Sequence, residues 1–351
     1  MHLYIHIPFC ESKCHYCSFT SLKKKDYEEA YFKALLEDLK FQFDYFKLSK
    51  NSIQTLFIGG GTPSVVEEKF YEKIFNFLAP YLSQNSENTI EANPKSSIDS
   101  WLKNMKNFGL NRISFGAQSF HSKKLEFLGR QHTQKELFES VENAKKNGFE
   151  NINLDLIYDT KFDDKKMLDF ELLHLEKIKK NLKHVSAYHL SIEKNTAFAN
   201  CFHFKKNAPR LMKYFIEQIQ ILGFKQYEIS NFGRICKHNL AYWQGKDYIG
   251  CGLSAVGFLK NQRFYTAKNL KTYILNPSLR QIENLNQKEL CLERLFLGFR
   301  SKVGVHKKIL NTIQIQKANE LVANKKLELK NNRFYNLNFL ISDELALYLA
   351  P

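Results

Sequence analysis

Short β-rich runs alternate with amphipathic helical runs over the first two-thirds of the chain, and this alternation restricts the fold more than any other feature. The periodicity predicts strands near 3–7, 53–58, 88–92, 111–116, 151–157 and 183–190, with helices over 26–47, 67–82, 98–107, 134–147, 163–181 and 209–222. Successive strands are separated by enough chain for right-handed crossovers, so they belong in a parallel sheet. The expected class is α/β, with residues 1–226 rolled into a full or partial parallel β/α barrel.

The pattern changes after Gln226. The glycine-punctuated stretch from Tyr227 to Gly257 reads as irregular structure, so residues 227–286 are expected to connect and cover the barrel edge. A different unit occupies 287–351. Helical runs at 289–299, 306–312 and 316–325 precede an alternating Leu327-Glu-Leu-Lys, a turn at Asn331-Asn332, and Phe334-Tyr-Asn-Leu-Asn-Phe, which is the order of a small winged-helix-like α+β domain. No internal repeat or long linker is visible, only local lysine clusters such as Lys23-Lys24-Lys25.

At 351 residues and 44% hydrophobic, the chain buries a full core, which excludes disordered and disulfide-stapled mini-protein classes. Its net charge of +16 favours an anionic partner in principle. The lysines are spread along the whole chain, however, as solvated faces require, and no aromatic-interleaved basic motif marks a nucleic-acid surface. No apolar window approaches membrane-spanning length and the N-terminus lacks a leader pattern, so a soluble, cytoplasmic protein is expected.

Seven cysteines are too sparse for a secreted disulfide framework, and three of them, Cys10, Cys14 and Cys17, stand together just after the first strand. Three thiolates converging from one loop suggest a metal centre. On a [4Fe–4S] cluster they leave one iron open, whereas a structural zinc site needs a fourth ligand, for which His6 or His15 is the candidate.

Further signals fall where a barrel places its ligand loops, at the C-terminal ends of parallel strands. Gly59-Gly60-Gly61-Thr62-Pro63-Ser64 follows the second strand. It is not a phosphate loop, because no Gly-Lys-Ser/Thr follows and Pro63 blocks an ordinary helix start. Glu91-Ala-Asn-Pro follows the third strand, Gln118-Ser-Phe and Leu128-Gly-Arg130 follow the fourth, and Asn153-Leu-Asp155-Leu-Ile-Tyr158 marks the fifth. Each of these alone is equally well a cap or an ion-pair member.

Together with Tyr4-Ile-His-Ile-Pro-Phe-Cys10, these segments resemble the radical S-adenosylmethionine (SAM) superfamily, in its branch related to oxygen-independent coproporphyrinogen III dehydrogenase. The resemblance runs along nearly the whole chain. It implies a [4Fe–4S] cluster on Cys10, Cys14 and Cys17, with the amino and carboxylate groups of SAM on the fourth iron. Tyr4, Gly60 and Glu91 match positions around that SAM, and Gly61, Thr62, Gln118, Arg130 and Asp155 match positions that hold a second SAM. Tyr16 and Val256 complete the SAM contacts implied, with Ala255 and Val256 at the adenine.

The dehydrogenases carry a fourth cysteine where this chain has Phe19, and an N-terminal extension before the first cluster cysteine. The sequence is closer to the haem chaperones of the branch, whose motif is Cys-x3-Cys-x2-Cys-x-Phe. His238-Asn-Leu-Ala-Tyr242-Trp matches their His-Asn-x-x-Tyr motif, which implies His238 as a haem ligand; read without the resemblance, that histidine caps backbone groups. Two stretches depart from the family: Asp159-Thr-Lys-Phe stands where Gly-Leu-Pro-Gly is usual, and Gly250-Cys-Gly-Leu-Ser-Ala-Val-Gly257 where Gly-Pro-Gly-Ala is usual. The expected function is haem handling and transfer to an acceptor protein, with an electron donor for the cluster. Porphyrinogen decarboxylation is the alternative, and a metal-stabilised winged-helix nucleic-acid binder the remote one.

Overall fold

The computed structural model describes residues 1–23 and 26–350; Lys24 and Lys25 of the lysine cluster lie outside the described residues. The first strands are β1 (His2–Ile7), β2 (Ile53–Gly60), β3 (Leu82–Ala92), β4 (Arg112–Gln118), β5 (Asn151–Tyr158) and β6 (His184–His189). They lie side by side in chain order and pair in parallel. The crossovers contain α1 (Glu28–Tyr45), α2 (Glu68–Leu78), α3 (Asp99–Asn107), α4 (Ser122–Phe127), α5 (Gln134–Lys146) and α6 (Lys165–Ile178), and α7 (Pro209–Ile221) follows β6. The strand order is linear and does not close on itself, so the barrel is partial.

The helices form where apolar residues recur at helical spacing. In α2, Tyr71, Ile74, Phe75 and Leu78 occupy one stripe and are all buried, each burial contributing roughly 1.5–3 kcal/mol. The strands are two-faced. Leu3, Ile5 and Ile7, Leu56 and Ile58, Ile113 and Phe115, Ile152 and Leu154, and Val185 and Ala187 share the main core with the helices. The intervening residues are largely polar and turn to the concave side.

The segment 227–286, expected to be irregular, carries short strands and two short helices between its loops. Short β7 (Asn231–Gly233) pairs antiparallel with β6 at one edge. After α8 (Lys237–Trp243), β8 (Tyr248–Cys251) pairs in parallel with β1 at the opposite side, and β9 (Val256–Leu259), β10 (Gln262–Tyr265) and, beyond α9 (Leu270–Leu275), β11 (Gln281–Asn284) extend it as an antiparallel meander. These strands run only three or four residues between glycines and turns, too short to register as periodic.

The C-terminal unit has its own apolar cluster, including Leu295, Phe299, Val305, Leu321, Phe334 and Leu345. It contains α10 (Gln287–Phe299), β12 (Val305–His306), α11 (Thr312–Ala323), β13 (Leu327–Lys330), β14 (Arg333–Asn336) and α12 (Ser342–Tyr348). A capping box between Asn286 and Glu289 starts α10 two residues earlier than expected. The helix expected over 306–312 is a correction: His306 pairs with Arg333 in the sheet, and Lys307–Ile309 makes a single 3-10 turn before Asn311 caps α11. The hairpin turn lies at Asn331-Asn332, both left-handed (φ 49° and 58°), as a type I′ turn requires. Arg294 ties this unit to the barrel by donating to the carbonyls of Gln244 (2.6 Å) and Gly245 (2.8 Å). Among the described residues, no helix is long and apolar enough to cross a membrane.

Candidate functional site

The cysteines lie on a loop that leaves β1 and returns beside it. Leu22 donates its amide to the Pro8 carbonyl (2.6 Å) and accepts from the Cys10 amide (2.9 Å), pinning both ends. The middle is held from outside: the His15 amide donates to Leu128 O, the Phe198 amide donates to His15 O, and His15 Nδ1 lies 2.8 Å from Phe127 O. This docking explains Leu128-Gly129-Arg130. Gly129 has φ +73°, and a Cβ there would lie 3.0 Å from the His15 ring, so a side chain would push the cysteine loop away.

The loop caps a cavity of about 470 Å³ at the C-terminal ends of the strands. Cys10, Cys14, Cys17, Tyr16, Gly60, Gly61, Thr62, Glu91, Gln118, Arg130 and Asp155 all line it. Gly60 has φ +114°, and a Cβ there would meet the His6 ring at 2.5 Å. Past it, the Gly61 and Thr62 amides donate to the Ile7 and Phe9 carbonyls (both 2.7 Å), laying the second-strand loop along the root of the cysteine loop. At Gln118 the β4–β5 register shifts and φ is +64°, so a bulge re-aims that side chain at the cavity.

The floor is polar and acidic. Glu91 accepts from the Gly60 amide (3.1 Å), and burial, then the charge of Asp155, push its carboxyl up to about 7. Asp155 accepts from Ser114 Oγ (3.1 Å) and Asn153 Nδ2 (2.8 Å), yet burial still raises its pKa. Arg130 donates to Cys14 Sγ (3.4 Å) and Gly116 O (2.5 Å), while its buried Nε has no partner.

Two of the residues expected to contact SAM stand outside the cavity lining. Tyr4 does not line the cavity; its hydroxyl lies 3.1 Å from His6 Nδ1 and its ring stacks on Phe57. Val256 sits on β9 opposite Tyr265, away from the cavity wall. His238 also stands outside the cavity lining. Its Nδ1 lies 2.7 Å from Thr55 Oγ1 and its Nε2 2.8 Å from Tyr242 Oη, and the side chain is buried. Both ring nitrogens are therefore engaged by hydroxyl groups in this arrangement.

Sequence reasoning missed Ser114, Tyr188 and His189, which also line the cavity. The signal was present in the strands: Arg112-Ser114-Gly116, Asn151-Asn153-Asp155 and His184-Ser186-Tyr188 alternate with apolar residues, marking one polar face.

The donor set distinguishes the metals. His6 Nε2 is engaged by Thr20 O (2.9 Å) and its Nδ1 by Tyr4. Among the described residues, no three Cys, His, Asp or Glu side chains close on one ion, as structural zinc demands. Three cysteines around one side of a roomy cavity suit a larger cluster with an exchangeable position.

A model of the radical SAM superfamily matches residues 4–171. The haem chaperone HemW of Lactococcus lactis subsp. lactis is 35% identical over 319 residues, covering 86% of this chain and 82% of the relative. The haem chaperone HemW of Bacillus subtilis is 34% identical, covering 87% and 84%. The chain belongs to the HemW family of radical SAM proteins. In fold it matches the coproporphyrinogen III oxidase HemN of Escherichia coli, a radical SAM enzyme, with a TM-score of 0.81 over 99% of this chain and 89% of that one, at 18% identity. Family membership brings the [4Fe–4S] cluster and SAM with it, and the thiols and acidic floor fit both groups.

Proposed function

We propose that the protein is a cytoplasmic haem chaperone that holds a [4Fe–4S] cluster on Cys10, Cys14 and Cys17, binds SAM beneath it, and passes haem to an acceptor protein. The observation that carries this reading is the three-cysteine cavity in a chain that aligns with HemW haem chaperones over more than four-fifths of its length. When bound, the cluster supplies one electron to the SAM sulfonium, which it receives from a low-potential donor.

This chain's residues would do the rest. Glu91 and Asp155 face a cationic ligand, Tyr16 and Gln118 flank it, and the loop excludes water. Phe19, where the dehydrogenases carry a fourth cysteine, is 65% exposed and lines the cavity mouth, giving a macrocycle an apolar face on which to pack. The barrel, the sheet extension and the C-terminal unit act as three parts, the last serving as cover or partner surface.

Anaerobic protein reconstituted with iron and sulfide tests the reading. Haemin titration should reach a stoichiometric end point, and coproporphyrinogen III with SAM and reductant should yield no vinyl product. Efficient formation of protoporphyrinogen IX would assign the protein to the dehydrogenases instead. Haem uptake should weaken in Phe19→Ala and persist in folded His238→Ala.

A further inference from the structure

The three cysteine sulfurs do not meet the cavity alone; each has a donor from a different part of the chain. Thr62 Oγ1 lies 3.4 Å from Cys10 Sγ, and Ser21 also bonds that sulfur. Arg130 Nη1 donates to Cys14 Sγ at 3.4 Å, and the backbone of Phe19 bonds Cys17. A cysteine sulfur bound to iron has no proton, so in the loaded protein Thr62 must be the donor of its pair.

Arg130 is the strongest of these groups. It is partly buried, with its Nε fully so, it carries a full positive charge, and its other arm is anchored at 2.5 Å to the Gly116 carbonyl, so it cannot swing away. Thr62 is likewise fixed, because its amide is bound to Phe9 O at 2.7 Å. Both groups came from the sequence as matches to second-SAM positions, yet their bonds run to the sulfurs.

From this the geometry points to Arg130 and Thr62 as positioning residues that set the reduction potential of the cluster by donating to two of its three cysteine sulfurs. Reduction adds one electron, and the cluster with its thiolates becomes more negative by one charge; no bond is made or broken. Donors and a guanidinium at the sulfurs favour that more negative state, so they raise the potential. A low-potential donor can then deliver the electron before SAM consumes it.

The inference rests on the cluster reading above, and iron and sulfide content tells failure of that reading from failure of this one. Arg130→Met, Arg130→Lys and Thr62→Val would be reconstituted and titrated anaerobically with dithionite and mediators, without SAM. In Arg130→Met the reduction equilibrium should shift towards the oxidised cluster on the order of tenfold, about 59 mV lower for one electron. Thr62→Val should shift it roughly threefold the same way, as befits a neutral donor. Arg130→Lys, keeping charge without the fork, should lie between wild type and Arg130→Met.

Resonance Raman spectra in heavy water give a second reading on whichever variants hold iron: the isotope shift of the terminal iron–sulfur modes should shrink in Thr62→Val and in Arg130→Met. Iron-replete variants with wild-type potentials and wild-type isotope shifts would overturn the inference. Altered SAM stoichiometry with an unchanged SAM-free potential would overturn it too, leaving these residues as ligands of a second SAM.

Discussion

Cys10, Cys14 and Cys17 hang from a loop whose backbone is bonded on both sides while their sulfurs face open volume. His238 occupies a helix packed on β2, with Thr55 on one ring nitrogen, Tyr242 on the other, and the Phe57 ring 5.2 Å away. Both regions announce themselves by compact motifs of metal-ligating residue types. In the first, the backbone takes the structural bonds and the sulfurs, though each accepts a donor, still face the cavity; in the second, the side chain itself is the structural bond. A motif therefore becomes a ligand set only where something else carries the packing.

The largest effect expected from this comparison is the most direct to measure. Replacing any one of the loop cysteines by serine, Cys14→Ser for instance, should remove most of the reconstituted iron and its visible absorption while leaving thermal unfolding nearly unchanged, since these side chains contribute little to the core. His238→Ala should do the reverse. Iron content should hold, whereas stability falls by roughly 2–4 kcal/mol, from a cavity and from buried Thr55 and half-buried Tyr242 left short of a partner. Denaturant midpoints read this effect, and loss of iron in folded His238→Ala would break the contrast.

Much of the barrel was legible because its units are long and periodic. The first six strands fall within a few residues of their expected positions, with β3 starting earliest, at Leu82, and the cavity loops follow from which strand ends they succeed. The short strands β7 to β11 escaped, because four residues cannot establish an alternation, and their pairing is decided by what the sheet edge offers. The packing of His238 was hidden for a different reason. Sequence spacing reports which residues recur together, but whether a ring nitrogen is already spent depends on Thr55, which is 183 residues distant in the chain. The left-handed Asp159 was equally hidden: it stands where glycine is usual, with φ 65°, and its carboxylate accepts from the Ala208 amide at 3.2 Å, offsetting the conformational cost.

The smallest expected effect separates the same two regions by the sign of their pH dependence. Burial, with the charges of His2 and Arg112, lowers the His238 pKa from 6.5 to about 3. The unfolded chain therefore takes up a proton that the folded chain refuses, and stability is lost as pH falls from about 6.5 towards 3. Glu91 behaves oppositely. Its carboxyl moves from 4.5 to about 7, so across that window the unfolded chain has ionised while the folded chain keeps its proton, and stability declines as pH rises and levels off above 7. Glu91→Gln should flatten this limb by on the order of 2 kcal/mol, given 1.36 kcal/mol per unit and some relief from water in the cavity. Buried Glu228, also raised to about 7, should retain part of the slope. Chemical denaturation from pH 4 to 8 measures both limbs, and wild-type and Glu91→Gln curves that run parallel would show that this carboxyl ionises freely. SAM sharpens the test: its ammonium and sulfonium favour the ionised carboxylate, so saturating SAM should shrink the alkaline limb in wild type and leave the His238 limb where it was.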